Sequence, residues 1–331
     1  MPSTPSRGAI EPMRWGSAHS TLPDGPLAAA DVCRSLTSTL GPAPLDLLIF
    51  FLSPGHVVAA AGIAEAFKRD LAPRCLIGAS GHAVISSSRE LESGPALVAL
   101  GARLPGVELH PFVMLNEAWK ETLDDPLEFA RAAPGAAGAE LVLMMGDPFS
   151  LEMEHCLAAF LRHAPKVRVV GGLASAGVRP GSNALILNDW LAPEGGVAVA
   201  LKGQLRVDAI VSQGCRPVGP PLRVTRAEGN VVVELDGQPA LERAEQVLQG
   251  LAERERGSLR NGLYVGRPMR AEASGHGDYL IRNLLGADRD RGVIAVGDRL
   301  EHQERIRLHV RDAGTAREDL EMLLSPQAFD V

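Results

Sequence analysis

The segment whose residue types come closest to reactive chemistry is Ser212-Gln213-Gly214-Cys215-Arg216-Pro217, a cysteine in a glycine turn followed by a cation. An arginine depresses a thiol pKa, and His276 or His82 would supply a base, which makes Cys215 a candidate nucleophile for a thiol-dependent transferase or hydrolase. The same segment reads as a structural or ligand-lining cysteine, and spacing leaves both readings open. A second segment, Asp278-Tyr279-Leu280-Ile281-Arg282-Asn283, mixes a carboxylate, a phenol, a guanidinium and an amide. Asp278 and Arg282 together would clamp the ammonium and carboxylate of an amino acid, since Arg binds carboxylate bidentately and Asp accepts from charged donors. The plainer reading is a surface ion pair worth little. His155, His163, His302 and His309 are dispersed and read as surface or capping residues.

Two further stretches echo one another: Cys75-Leu-Ile-Gly-Ala-Ser-Gly-His-Ala-Val-Ile and Val169-Val-Gly-Gly-Leu-Ala-Ser-Ala-Gly. Each sets glycines and a serine directly after an apolar run, Gly78 and Ser80 in the first and Gly172 and Ser175 in the second. Such a spot lets a ligand approach the backbone, and it is equally what a tight turn with positive φ requires. The spacings GxxxxGK[ST], HExxH and GxSxG do not occur, nor does a GxGxxG opening a helix. Neither a metal, a cofactor nor a catalytic residue set is expected.

The elements that must position these residues begin with an apolar fraction of 46% in 331 residues, enough for two domains with sizeable cores. There are 33 basic and 40 acidic side chains, net −7, and lysine occurs only at Lys68, Lys120, Lys166 and Lys202. No block of one sign forms, so a nucleic-acid partner is not expected. Apolar runs such as Leu45 to Leu52 fall far short of the roughly 20 residues that span a bilayer. Pro2, Pro5, Glu11 and Pro12 interrupt the start where a signal peptide needs an unbroken apolar stretch. The four cysteines include no C-x-x-C pair and read as reduced thiols. A cytoplasmic protein is the expectation.

Residues 1–24 read as a flexible tail treated as loop. Helices are expected at Leu27 to Leu40, Val57 to Asp70, Pro126 to Ala132, Leu151 to Arg162, Pro239 to Arg254 and Ala316 to Leu324. Apolar strands fall between them, with Asn183 to Leu187 and Gly196 to Leu201 paired and Leu205 to Ser212 opening a strand-rich half. Glu228-Gly229-Asn230 marks a hairpin. The pattern is an α/β class (α+β, mixed sheets): two related modules of mixed sheet flanked by helices.

Several of these stretches resemble one family, the FIST proteins with their FIST-N and FIST-C domains. The resemblance rests on the two glycine-serine turns, on Val211-Ser-Gln-Gly-Cys-Arg-Pro-Val-Gly-Pro-Pro-Leu-Arg-Val-Thr-Arg-Ala-Glu-Gly-Asn, on Glu234-Leu-Asp-Gly-Gln-Pro-Ala-Leu-Glu, on Gly277-Asp-Tyr-Leu-Ile-Arg-Asn-Leu-Leu-Gly, and on Ala295-Val-Gly-Asp with Arg311-Asp-Ala. It implies a FIST-N-like domain over 25–205 and a partial FIST-C-like domain over 206–331 that lacks the family's further helix and strands, leaving an unpaired sheet edge. It also implies a sensor that binds a small molecule, an amino acid or derivative, and signals through a protein partner or a second copy of itself. The expected pocket comprises Gly78, Ser80, Gly172, Ser175, Gly214, Cys215, Arg216, Asp278 and Arg282. The competing readings are an enzyme using Cys215 and a scaffold whose strand edge recruits another protein.

Overall fold

A computed structural model of the chain describes residues 12–119, 121–212, 214–269, 279–311 and 313–325. The chain divides into two compact units, Met1–Asp208 and Ala209–Val331.

The first unit contains β1 (Arg14–Ser20), α1 (Gly25–Leu40), β2 (Leu47–Leu52), α2 (Ala60–Leu71), β3 (Cys75–Ser80), β4 (Val84–Ile85), β5 (Glu90–Leu91) and β6 (Leu97–Arg103). It continues through β7 (Val107–Met114), α3 (Asn116–Trp119), α4 (Pro126–Ala132), β8 (Leu141–Gly146), α5 (Met153–His163), β9 (Arg168–Leu173), β10 (Leu185–Leu187), β11 (Trp190–Ala192) and β12 (Gly196–Gly203). Local chemistry sets the boundaries. Helix α1 opens where the Asp24 carboxylate accepts from the Leu27 N–H at 2.9 Å, and it presents Ala28, Ala29, Val32, Leu36 and Leu40 to the core. Strand β2 reads Leu-Leu-Ile-Phe-Phe-Leu and β3 is buried throughout, as parallel strands covered on both faces must be.

Two sheets result, ordered β1-β6-β2-β3-β10-β11 and β7-β12-β8-β9, with β2 and β8 parallel to β3 and β9 and the remaining pairs antiparallel. The orders β1-β6-β2-β3 and β7-β12-β8-β9 are one topology used twice. In each, the fourth strand of the repeat inserts between its first and second. The inner faces of the sheets share a core of Leu47, Ile77, Ala79, Met145, Val197 and Val199. Helices α1 and α2 cover the outer face of one sheet, and the buried residues of α4 and α5 with Trp119 of α3 cover the other, giving four layers.

Three segments of the chain depart from the pattern expected of them. Residues 14–20 are not loop but an edge strand whose small residues Gly16, Ala18 and Ser20 alternate inward. Strand β10 pairs with β11 and β3 rather than with β12, because β12, buried over six consecutive residues, takes the central place between β7 and β8. The run Leu205 to Ser212 forms no strand, and its Val211 is exposed.

The second unit contains β13 (Cys215–Glu228), β14 (Val231–Leu235), β15 (Gln238–Pro239), α6 (Ala240–Gln249), α7 (Glu253–Ser258), β16 (Leu263–Pro268), β17 (Tyr279–Asp288), β18 (Val293–Val296), β19 (Arg305–Arg311) and α8 (Ala313–Leu324). Its sheet runs β13-β19-β16-β17-β18-β14-β15, all antiparallel. The long strand β13 pairs with β19 through residues 215–223 and with β14 through 224–228, so the ladder returns on itself. The expected unpaired edge is absent among these strands, because β13 bends at an irregularity between Val218 and Leu222 and serves both sides of the ring. Val224, Val232, Leu235, Val265, Ile306 and Leu308 fill the interior, with Ala240, Ala244 and Val247 of α6 packed on them. The fold is mixed α/β, as its sequence pattern predicts. Among the described residues no helix is long and apolar enough to cross a membrane.

Candidate functional site

The two glycine-serine turns meet. Strands β3 and β9 leave their sheets at the carboxyl ends of the parallel pairs, where α/β folds commonly bind ligands. The Ser175 N–H donates to the Ser80 carbonyl at 3.0 Å, and the His82 N–H donates to Ser175 Oγ at 3.0 Å.

The register refines the echo seen in the sequence. Gly78 lies opposite Phe50 and Gly171 opposite Met144, two residues before the ends of β2 and β8. A Cβ at Gly78 would run into the Phe50 ring, and one at Gly171 into the Met144 carbonyl, so close approach demands glycine at both. Counting onward, Ser80 occupies the position of Leu173, and His82 that of Ser175. Gly78 is equivalent to Gly171, whereas the expected Gly172 matches Ala79, and the two serines are not equivalent. Gly94 (φ 81°) and Gly195 (φ 79°) each make a left-handed turn ahead of β6 and β12, although by register Gly195 matches Ala96 rather than Gly94.

Beneath the turns lies a buried polar seam that the sequence reading passes over. Ser80 Oγ donates to Asn183 Oδ1 at 3.3 Å and accepts from the Ala184 N–H at 2.9 Å. Asn183 Oδ1 also accepts from the Gly177 N–H, and Asn183 Nδ2 donates to Asp147 Oδ1 at 2.8 Å. The other Asp147 oxygen accepts from Ser150 Oγ at 2.7 Å and the Phe149 N–H at 3.1 Å. Gly78 and Ser80 are thus buried and internally engaged, whereas Gly172, Ser175 and His82 are exposed. Nothing lies within 4 Å of a Cβ built on Gly172. The sequence signal for the seam is Asp147-Pro148 after β8, matching Ser53-Pro54 after β2, where buried Ser53 Oγ accepts from the Ala96 N–H and donates to the Gly94 carbonyl.

The remaining expected residues belong to the second unit. Gly214 (φ 60°) precedes β13. Cys215 is 2% exposed and stands opposite Arg311 in the β13–β19 ladder. A hydrogen bond with Cys215, opposed by burial, raises the Arg311 pKa, and the guanidinium lies 4.9 Å from the centre of the Tyr264 ring. Arg216 follows, opposite Val310. Asp278 and His276 lie outside the described residues. Arg282 donates through Nε to Asp298 Oδ2 at 2.8 Å, and Arg267 reaches the same oxygen at 2.7 Å and Glu304 at 2.5 Å. Burial raises the Asp298 pKa, but the hydrogen bonds from Arg267 and Arg282 outweigh it and hold the carboxyl below its ordinary value. The Arg282 guanidinium is therefore part of an internal ion-pair cluster.

Two histidines depart from the surface reading. His309 is fully buried, its ring 4.8 Å from that of Tyr279, and buried His155 Nε2 belongs to α5. Among the described residues no group of three His, Cys, Asp or Glu side chains could hold a metal ion.

Comparison with known proteins adds two kinds of finding. The family model for the FIST N domain matches residues 46–238, and that for the FIST C domain matches residues 239–329. An uncharacterized protein of Mycobacterium tuberculosis is 31% identical over 331 residues, covering 96% of this chain and 82% of its own. One of Mycobacterium bovis is 30% identical over 327 residues, covering 96% and 81%. A solved cyanuric acid hydrolase overlaps 91% of this chain and 100% of its own at 10% identity and a TM-score of 0.31, too little to carry fold or function.

Proposed function

This chain belongs to the FIST family, whose domains are associated with sensory signal transduction and small-molecule binding, and from that premise we propose that it is a sensor for an amino acid or a close derivative. The ligand is received in the first unit, at the lip formed by Gly172, Ser175 and the turn at His82, with Gly78 and Ser80 as the buried footing of that lip. The observation that supports this is the joining of the two turns by the Ser175 to Ser80 and His82 to Ser175 hydrogen bonds, which leaves exposed backbone beside an open glycine. In the second unit Gly214, Cys215 and Arg216 form a separate candidate, with the Arg216 guanidinium as the partner of a carboxylate; Asp278 and Arg282 complete the proposed set. The signal passes to a protein partner or to a second copy of the chain.

The test is thermal unfolding against a panel of amino acids and related metabolites. A ligand at 100 times its dissociation constant stabilises by about 2.7 kcal/mol, a shift of several degrees. Gly172→Val adds a side chain where there is open space, so it should preserve the unfolding midpoint of the free protein and abolish the ligand-induced shift. A shift that survives Gly172→Val removes the lip from the proposal, and a flat panel from a cooperatively folding protein favours the scaffold.

A further inference from the structure

In the first unit a cavity of about 110 Å³ lies between α3 and the start of α5, lined by Asn116, Trp119, Glu152 and His155. Trp119 is 1% exposed, packed edge-on against Phe129 with 6.2 Å between ring centres and tilted on Phe160 at 5.7 Å. Its indole Nε1 has no hydrogen-bond partner among the described residues, and neither has the buried Nε2 of His155. Native interiors rarely leave such groups unpaired, and here both belong to residues that line one cavity. Asn116 forms a fixed wall, donating through Nδ2 to the Ser150 carbonyl at 2.6 Å and accepting from the Glu152 N–H at 3.0 Å.

The lining restricts the occupant. An indole N–H only donates, an ionised carboxylate only accepts, and a neutral imidazole nitrogen takes either role. The guest must therefore show an acceptor to Trp119, and an N–H donor suits Glu152, whose side chain is exposed. Among the described lining side chains none is a lysine or arginine, and Glu152 is itself a carboxylate that would repel an anion. The volume is below the roughly 150 Å³ that holds a benzene, limiting the guest to about five heavy atoms. We propose that this cavity binds a small neutral carboxamide or urea, its carbonyl oxygen accepting from Trp119 and its N–H group donating to Glu152, with His155 Nε2 as the third partner. None of the lining residues belongs to the lip described above, although Asn116 meets the seam beneath that lip through Ser150.

The experiment uses the full chain labelled with indole-15N tryptophan. Its three tryptophans, Trp15, Trp119 and Trp190, give three indole N–H signals, with Trp119→Phe identifying the relevant one. Propionamide is titrated beside propionate, an anionic acceptor, and propylammonium, a cationic donor. A saturable shift of the Trp119 signal with propionamide alone is expected, weakened on the order of ten-fold in Glu152→Ala. Unmoved Trp15 and Trp190 signals in that variant show that the fold is intact. A Trp119 signal that does not respond saturably to propionamide, or responds better to propionate, overturns the proposal.

Discussion

Asn183 Nδ2 lies 2.8 Å from Asp147 Oδ1 with both side chains buried, so a loop following β9 is tied to the end of β8 through a carboxylate inside the fold. Such a carboxylate is tolerated only with donors on both oxygens, which Asn183, Ser150 and Phe149 supply. Asn183→Leu strips one donor from Asp147 and the acceptor from Ser80 and Gly177. The expected loss is about 3 kcal/mol or more in urea unfolding. Stability equal to that of the parent chain would show that the seam carries no structural weight.

The thiols should be inert in the folded chain. Burial pushes Cys33 up to about 11 and Cys75 and Cys156 up to about 12, while Cys215 is buried at the start of β13. Iodoacetamide at neutral pH should leave all four unmodified until denaturant is added. Selective labelling of Cys215 in the native protein would restore the thiol-enzyme reading. Raised thiol values also fix a sign. Their contribution to stability is complete below the ordinary value of 9.0 and is lost as pH climbs towards 11 and 12, so the chain should weaken progressively in alkali.

Asp298 carries the opposite dependence. Its carboxyl is held below 3.8 because the hydrogen bonds from Arg267 and Arg282 overcome the upward push of burial. Its stabilisation is present above 3.8 and disappears as pH falls through the lowered value. The three side chains remain about a quarter to a third exposed, which limits the contribution to about 1 kcal/mol. In Asp298→Asn the acid limb of the stability profile should flatten by that amount; an unchanged limb would exclude this cluster as its source.

His56, fully buried before α2, should set a milder limb nearer neutrality. Burial lowers its pKa, outweighing the Leu22 carbonyl and Asp24, which act to raise it. The unfolded chain takes up the proton near 6.5 while the folded chain does not, so stability is full above 6.5 and declines below it. Replacing His56 by Gln should remove that decline in unfolding measured across this range. Retention of the full decline would assign it to another group.

Legibility in the sequence tracks how local the deciding interaction is. The β2–α2–β3 unit is readable because its strands are nearly continuous apolar runs and its helix repeats at helical spacing. Strand β1 is hidden because Gly16, Ala18 and Ser20 point inward where apolar side chains would have announced it. The glycine-serine echo correctly marks two turns that touch, yet only the strand register shows that Ser80 and Ser175 occupy different positions in the repeat. Asp147-Pro148 looks like a stop signal whether exposed or buried, and only the arrival of Asn183 distinguishes the two. Trp119 is brought to the cavity it shares with His155 of α5 by a four-residue helix too short to show any periodicity.

The hairpin β10–β11 belongs by sequence to the second copy of the repeat, yet it completes the outer edge of β3 in the first. During synthesis the leading copy leaves the ribosome with that edge bare, and it stays bare until the chain has grown past Ala192. The two copies are thus not separable inheritances from a duplication. Each nascent first copy waits for its sequel, and a fragment cut between β9 and β10 would carry an adhesive strand into solution.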